Sequence, residues 1–299
     1  MAVMGNEDIH PELRRVARLT PRRMLYRWSL PVVRRLRVTG SRDDGVDVVT
    51  LPSGAGARLY RPADADGPAP ALLWIHGGGY VLGSAAQDDD LCRAYVRELG
   101  AVVASVEYRL APEHPYPTPV EDCYTALAWL ADLPGVDRRR MVIGGASAGG
   151  GLAAALAFLA RERGELKPVL QLLSYPMLDD RTTDPGLDDK GFRLWDTASN
   201  RIGWDYYLGK ADRATAVPAR RTDLTGLPPA WIGVGTLDLF HNEDLAYAAR
   251  LQAAGVGCEV YEVPGAFHGF DRLAPKAPVA KAYFDSTCSA MRRAMTWAG

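Results

Sequence analysis

A chain of 299 residues, 47% hydrophobic and 24% charged, holds enough apolar material for one large core or for a main domain with a small appendage. Its formal net charge of -1 creates no overall field for nucleic acid or an anionic membrane, so a small or neutral partner is expected and nucleic acid is not. The four cysteines, Cys92, Cys123, Cys258 and Cys288, show neither CxxC spacing nor a histidine cluster, which points to reduced core residues, a cytoplasmic protein and no metal site.

The first 42 residues carry ten arginines, no lysine, and only Glu7, Asp8 and Glu12 as acids. One reading is a membrane-surface helix. The expected one is a pair of short amphipathic helices, with Leu13, Val16, Ala17, Leu25 and Trp28 facing the protein and the arginines facing water. No apolar run reaches the ~18 residues of a membrane span, and the N-terminus lacks the apolar core of a signal peptide, so neither stable membrane insertion nor export is expected.

Short apolar runs rich in β-branched residues follow at 46–51, 57–61, 70–76, 101–106, 140–144, 168–174, 229–235 and 257–263. From the third onward, helical patterns fall between them or after them, at 87–99, 119–132, 148–163, 242–254 and 276–297. This alternation predicts an α/β fold with a mostly parallel sheet covered on both faces, whose chemistry sits at the carboxyl ends of the strands. Residues 178–228 break the pattern, with many charges, the aromatics Phe192, Trp195, Trp204, Tyr206 and Tyr207, and no clear strand. A structureless loop of that length does not suit a compact domain, so helices inserted above the sheet are expected, packed with the N-terminal helices as a cap. The resulting division is a cap segment, 1–42, and a catalytic domain, 43–299, with a cap insertion at about 178–228.

Two glycine-rich turns carry chemistry. His76-Gly77-Gly78-Gly79 ends the third strand and exposes backbone N–H groups with no side chains in the way, which suits an oxyanion. Gly144 to Ala153 can be read in two ways. Gly149-Gly150-Gly151-Leu152-Ala153-Ala154 fits a dinucleotide fingerprint, while Gly145-Ala146-Ser147-Ala148-Gly149 fits the turn that holds a serine nucleophile between strand and helix. A dinucleotide site wants the first strand-to-helix turn and an acid about 20 residues on, at the end of the next strand. That strand ends in Ser174-Tyr175-Pro176, so the serine reading is adopted.

These motifs, with Tyr108-Arg109-Leu110-Ala111-Pro112-Glu113, Ser174-Tyr175-Pro176-Met177-Leu178, Gly235-Thr236-Leu237-Asp238 and Phe267-His268-Gly269-Phe270, make the chain resemble the hormone-sensitive-lipase branch of the α/β-hydrolase carboxylesterases over roughly residues 60–290. The resemblance implies an eight-stranded α/β-hydrolase sheet with a helical cap. It also implies hydrolysis of short to medium acyl esters without metal or organic cofactor, and the backbone N–H groups of Gly78, Gly79 and Ala148 as oxyanion donors. The family usually carries Asp or Glu before the serine, where this chain has Ala146, a change that removes a charge beside the nucleophile without touching it.

Five histidines compete for the role of base. His10, His76 and His114 read as structural hydrogen-bonders, and His241 is the rival of His268, which lies in a loop just past the last strand. Asp238 completes the order serine, acid, histidine. Glu243 and Asp244, and the run Asp88-Asp89-Asp90, are expected in the first turns of helices, where the dipole favours acids. A small-molecule ester is the expected partner, with a homodimer open as the assembly. A non-catalytic receptor on the same fold, an amidase and a thioesterase are the alternatives.

Overall fold

A computed structural model of the chain describes residues 8–28, 30–35, 45–63, 67–182 and 191–296. Its eight strands are β1 (Asp47–Thr50), β2 (Gly56–Tyr60), β3 (Ala69–Ile75), β4 (Val102–Glu107), β5 (Val136–Ala146), β6 (Leu170–Ser174), β7 (Ala230–Leu237) and β8 (Cys258–Phe267). They form one sheet in the order β1-β2-β4-β3-β5-β6-β7-β8. β2 runs antiparallel to both its neighbours, and every pair from β4 to β8 is parallel. The expected α/β-hydrolase fold is thus observed, and all eight anticipated strands occur. β5 and β8 run longer than their apolar runs, because beyond a shift in register Val136 still pairs with Ala69 of β3 and Phe267 with Leu237 of β7.

The helices are α1 (Arg14–Leu19), α2 (Leu30–Arg35), α3 (Asp89–Leu99), α4 (Thr118–Ala131), α5 (Ala148–Arg163), α6 (Thr197–Leu208), α7 (Arg213–Ala216), α8 (His241–Ala253), α9 (Phe270–Leu273) and α10 (Pro278–Thr296). Successive strand residues point to opposite faces, so each central strand feeds two cores. Ala71, Leu73 and Ile75 of β3 join the core that includes α4, α5 and α8, whereas Leu72 and Trp74 join the one beneath α3 and α10. Burial on both faces is why these strands read as continuous apolar runs rather than alternating ones.

The N-terminal segment departs from expectation. Leu13, Ala17 and Leu25 are buried and Val16 packs on the core, but Trp28 is 77% exposed. Residues 21–28 are not helical, and the second helix begins only at Leu30, so no helical face turns Trp28 inward. Nor do all the arginines simply face water. Arg23 pairs with Asp196 at 2.6 Å, Arg27 with Asp205 at 2.5 Å, and Arg34 with Glu113 at 2.6 Å, while Arg34 also donates to the carbonyls of Val81 and Ala111. With Leu194 N–H donating to Pro21 O at 2.8 Å, these contacts lay the segment across the 178–228 insertion and the loop after β3. The segment boundary near 42 and residues 183–190 of the insertion lie outside the described residues.

Asp88 and Asp89 do more than sit at a helix start. Both are 2% exposed. Asp89 takes two bonds from Arg58, at 2.8 and 2.9 Å, and one from the Tyr60 hydroxyl, tying α3 to β2. Asp88 accepts from Trp74 Nε1 at 2.6 Å and pairs with Arg272. Acids at such depth require cations or donors on their oxygens, whatever the helix dipole contributes. Asp89→Ala removes the carboxylate that pairs with the Arg58 guanidinium, itself only 11% exposed, and is expected to lower unfolding free energy by roughly 3–5 kcal/mol in urea titrations at neutral pH.

Candidate active site

β5 delivers Ser147 through a turn that only small neighbours permit. Ser147 has φ 58° and ψ -123°, a region that costs about 1–3 kcal/mol for a residue with a side chain. Its N–H donates to Ser174 O at 2.9 Å, and its carbonyl accepts the N–H groups of Gly151 and Met177 at 3.0 Å each. These three bonds offset the strain and fix the turn between β5, β6 and α5. A Cβ on Gly149 would collide with the carbonyl of Ile75, and one on Gly151 with that of Met177. The glycines therefore serve the close approach of α5 to β3 and to the chain after β6, as the serine reading required.

Asp238 follows β7 by one residue, and His268 follows β8 by one residue. His268 Nε2 lies 2.9 Å from Ser147 Oγ, and Nδ1 lies 2.8 Å from Asp238 Oδ2. The other oxygen of Asp238 accepts the Phe240 N–H at 3.0 Å, which sets the carboxylate plane. All three side chains are nearly buried. The structure therefore brings together the serine, acid and histidine singled out from sequence. His241 stands elsewhere, its Nε2 2.7 Å from Glu262. His10 accepts the Glu12 N–H, and His114 is exposed at the cavity rim.

His76, fully buried, stacks on Tyr108 with centroids 4.3 Å apart, and its carbonyl accepts the Tyr108 hydroxyl. This anchor holds the loop in which Gly78 and Gly79 adopt φ 129° and 60°. A Cβ at Gly78 would strike the Leu82 carbonyl, and one at Gly79 the Trp195 ring. Gly78 and Gly79 line a cavity of about 860 Å³ together with Ser147, His268, Leu194 and Trp195. Ala148 is the first residue of α5, where N–H groups have no intrahelical acceptor. Ala146 adds an uncharged, nearly buried patch to the same wall.

Several residues without a role in the sequence reading also shape the site. Tyr175, at φ 36°, sets its ring against the His268 edge, 4.9 Å between centroids, and donates to Asp271 at 2.7 Å. Burial raises the Asp271 carboxyl above its usual range. Tyr175 directly follows β6, a carboxyl end of a parallel strand, and that position was the available signal. Glu243 and Asp244 do start α8, yet neither is solvated. Glu243 accepts the N–H groups of Leu178 and Asp179, and burial pushes its pKa up to about 8. Burial likewise raises Asp244, with Glu243 and Asp238 adding like-charge repulsion.

Among the described residues, no group of three or more His, Cys, Asp or Glu is placed to hold a metal, and no helix is long and apolar enough to cross a membrane.

A family model for the alpha/beta hydrolase fold matches residues 72–272. The chain is 36% identical to Esterase LipI of Mycobacterium tuberculosis over 261 residues, 84% of this chain and 80% of that one. Among solved structures, a protein titled Bacterial Heroin Esterase superposes with a TM-score of 0.86 at 36% identity, covering 97% of this chain and 98% of the other. Esterase LipW from Mycobacterium marinum gives 0.85 at 35%, covering 97% of both chains. With this agreement spanning the sheet and the motif-bearing loops, the chain belongs to the α/β-hydrolase fold family, in its hormone-sensitive-lipase branch.

Proposed function

We propose that the protein is a serine carboxylesterase that hydrolyses short to medium acyl esters through an acyl-enzyme. The single observation that carries this reading is the continuous chain from Ser147 Oγ to His268 to Asp238, with contacts of 2.9 and 2.8 Å. Esterase names among the relatives support the reaction class.

A serine hydroxyl is a poor nucleophile until a base removes its proton. In this reading His268 Nε2 takes that proton as Oγ attacks the ester carbonyl, and Asp238 orients the ring and stabilises the imidazolium. The carbonyl oxygen, now negative, is held by the N–H groups of Gly78, Gly79 and Ala148. Collapse breaks the bond to the alcohol, which leaves with the proton from His268. Water then attacks the acyl-enzyme by the same route and releases the acid.

The cavity falls within the range of small-ligand sites, and Trp195 packed over Gly79 supplies an apolar wall beside the oxyanion loop. The elements up to residue 42 and the insertion at about 178–228 form the cap over the catalytic domain in this reading. Gly203 of the insertion lies so near Gly79 that a Cβ there would sit 2.8 Å from the Gly79 carbonyl. No metal or organic cofactor enters the mechanism, and a cytoplasmic location accords with four free cysteines. Amidase and thioesterase chemistry use the same apparatus. A non-catalytic receptor is disfavoured by the assembled serine, histidine and acid.

Ser147→Ala should lower kcat on p-nitrophenyl esters by roughly four to six orders of magnitude with folding intact, and the wild type should lose rate as the acyl chain lengthens beyond medium. Normal turnover by the variant ends the reading. Gly78→Val should cost about a hundredfold or more in kcat by blocking an oxyanion donor; if its steady-state rates match wild type, the loop has another job. His268→Ala should be nearly inactive, and Asp238→Asn should lose several orders of magnitude because the amide can hold the wrong tautomer. His241→Ala should shift rates only a few fold; the reverse ranking of the two histidines would exchange their roles.

A further inference from the structure

Six large hydrophobic side chains are exposed among the described residues: Leu19, Met24, Tyr26, Trp28, Val48 and Leu273. Val48 belongs to the edge strand β1. Four of the others fall within residues 19–28, the stretch that also brings Met24 to the catalytic cavity, and the fifth is Leu273. Met24 and Leu273 line that cavity, and Tyr26 and Trp28, with ring centroids 5.9 Å apart, follow Met24 directly along the chain. Leu19 precedes Pro21, whose carbonyl receives the N–H of the cavity residue Leu194. Folded monomers scatter exposed apolar side chains singly, so four of them within residues 19–28 mark a contact surface.

The charge on the same segment states what it contacts. Arg23, Arg27 and Arg34 are spent on Asp196, Asp205 and Glu113. Arg15, Arg18 and Arg22 are exposed and have no ion-pair partner among the described residues. A net charge of -1 for the whole chain does not weaken this patch, because charges are screened beyond about 8 Å at physiological salt and only the local balance is felt.

We propose that this rim is a docking surface for an anionic lipid layer, against which Leu19, Tyr26 and Trp28 settle while Arg15, Arg18 and Arg22 meet the headgroups, so that ester substrate enters the cavity from the layer. Trp and Tyr favour the boundary between lipid and water, and arginine-rich segments with one apolar face lie in it without spanning. A second copy of the chain is the poorer occupant. Two-fold pairing would set this patch against itself and bring the unpaired arginines face to face. The proposal rests on the esterase reading for what is delivered, but docking can be measured without turnover.

The experiment is vesicle sedimentation of the full chain carrying Ser147→Ala, with phosphatidylcholine vesicles and with the same vesicles containing a minority of phosphatidylglycerol. The protein should sediment with the anionic vesicles and not the neutral ones. Changing Arg15, Arg18 and Arg22 to Gln should weaken that partitioning about a hundredfold, near fivefold for each cation removed from the surface. Leu19→Ser with Trp28→Ser should weaken it about tenfold or more. In the background that retains Ser147, both sets should keep kcat/KM on soluble p-nitrophenyl acetate within about twofold, as surface changes outside the cavity do. Equal sedimentation with both vesicle types, or unchanged partitioning in both variants, overturns the proposal. So does a dimer that Trp28→Ser dissolves in a protein that binds no vesicle. Vesicle binding by a chain that hydrolyses no ester would support the docking surface and count against the enzymatic reading alone.

Discussion

The turn at Ser147 is the constraint on which the rest of the site depends. A residue with a side chain is held at φ 58°, and the bonds that hold it come from β6, from the chain after β6 and from α5. That turn can be closed only if α5 starts almost in contact with β3, which is why Gly145 and Gly149 admit no Cβ beneath the Ile75 carbonyl. The same contact brings the loop after β3 against the serine, since a Cβ on Gly77 would lie 3.3 Å from Ser147 Cβ. One strained turn thus fixes both the Ser147 hydroxyl and the glycine loop beside it. Asp238 and His268 need only leave the next strands of the parallel sheet at the same edge to reach it.

A second layer of order comes from buried charge. Arg272 lies four residues after His268 and pairs with Asp88, which also accepts from Trp74 of β3; its guanidinium further donates to Gln87 O at 2.6 Å. This ties the histidine-bearing segment to the chain that follows the glycine loop. Tyr175, between Asp271 and the His268 ring, ties it to β6. Pairs of this kind contribute little net stability against an apolar alternative, but breaking one leaves a stranded charge. Their effect here is to define one arrangement of the loops around the cavity.

The insertion and the N-terminal segment are tied down differently. Tyr80 of the loop after β3 stacks on Tyr207 of α6 with centroids 4.0 Å apart, and Trp204 packs on both rings. The insertion is therefore an apolar extension of the core. The N-terminal segment is held largely by arginine pairs and a few buried side chains, leaving an apolar and cationic rim outward. That difference accounts for a segment whose composition differs from the rest of the chain while the molecule as a whole stays near neutral.

Strand and helix positions were legible in the sequence because burial on both faces of a parallel sheet writes itself as local apolar runs. Ser147 and the glycine loop were legible because a sharp turn and exposed N–H groups demand small residues at adjacent positions, a local requirement. The pairing of His268 rather than His241 with Asp238 rested on chain order and resemblance. Tertiary structure decided it by placing one ring between Oγ and the carboxylate and the other against Glu262. The partners of Asp88 and Asp89, the depth of Glu243 and Asp244, the support from Tyr175 and the exposure of Trp28 could not be read locally. Each depends on which distant segment lies opposite, and a periodicity shows only that a face exists, not what covers it.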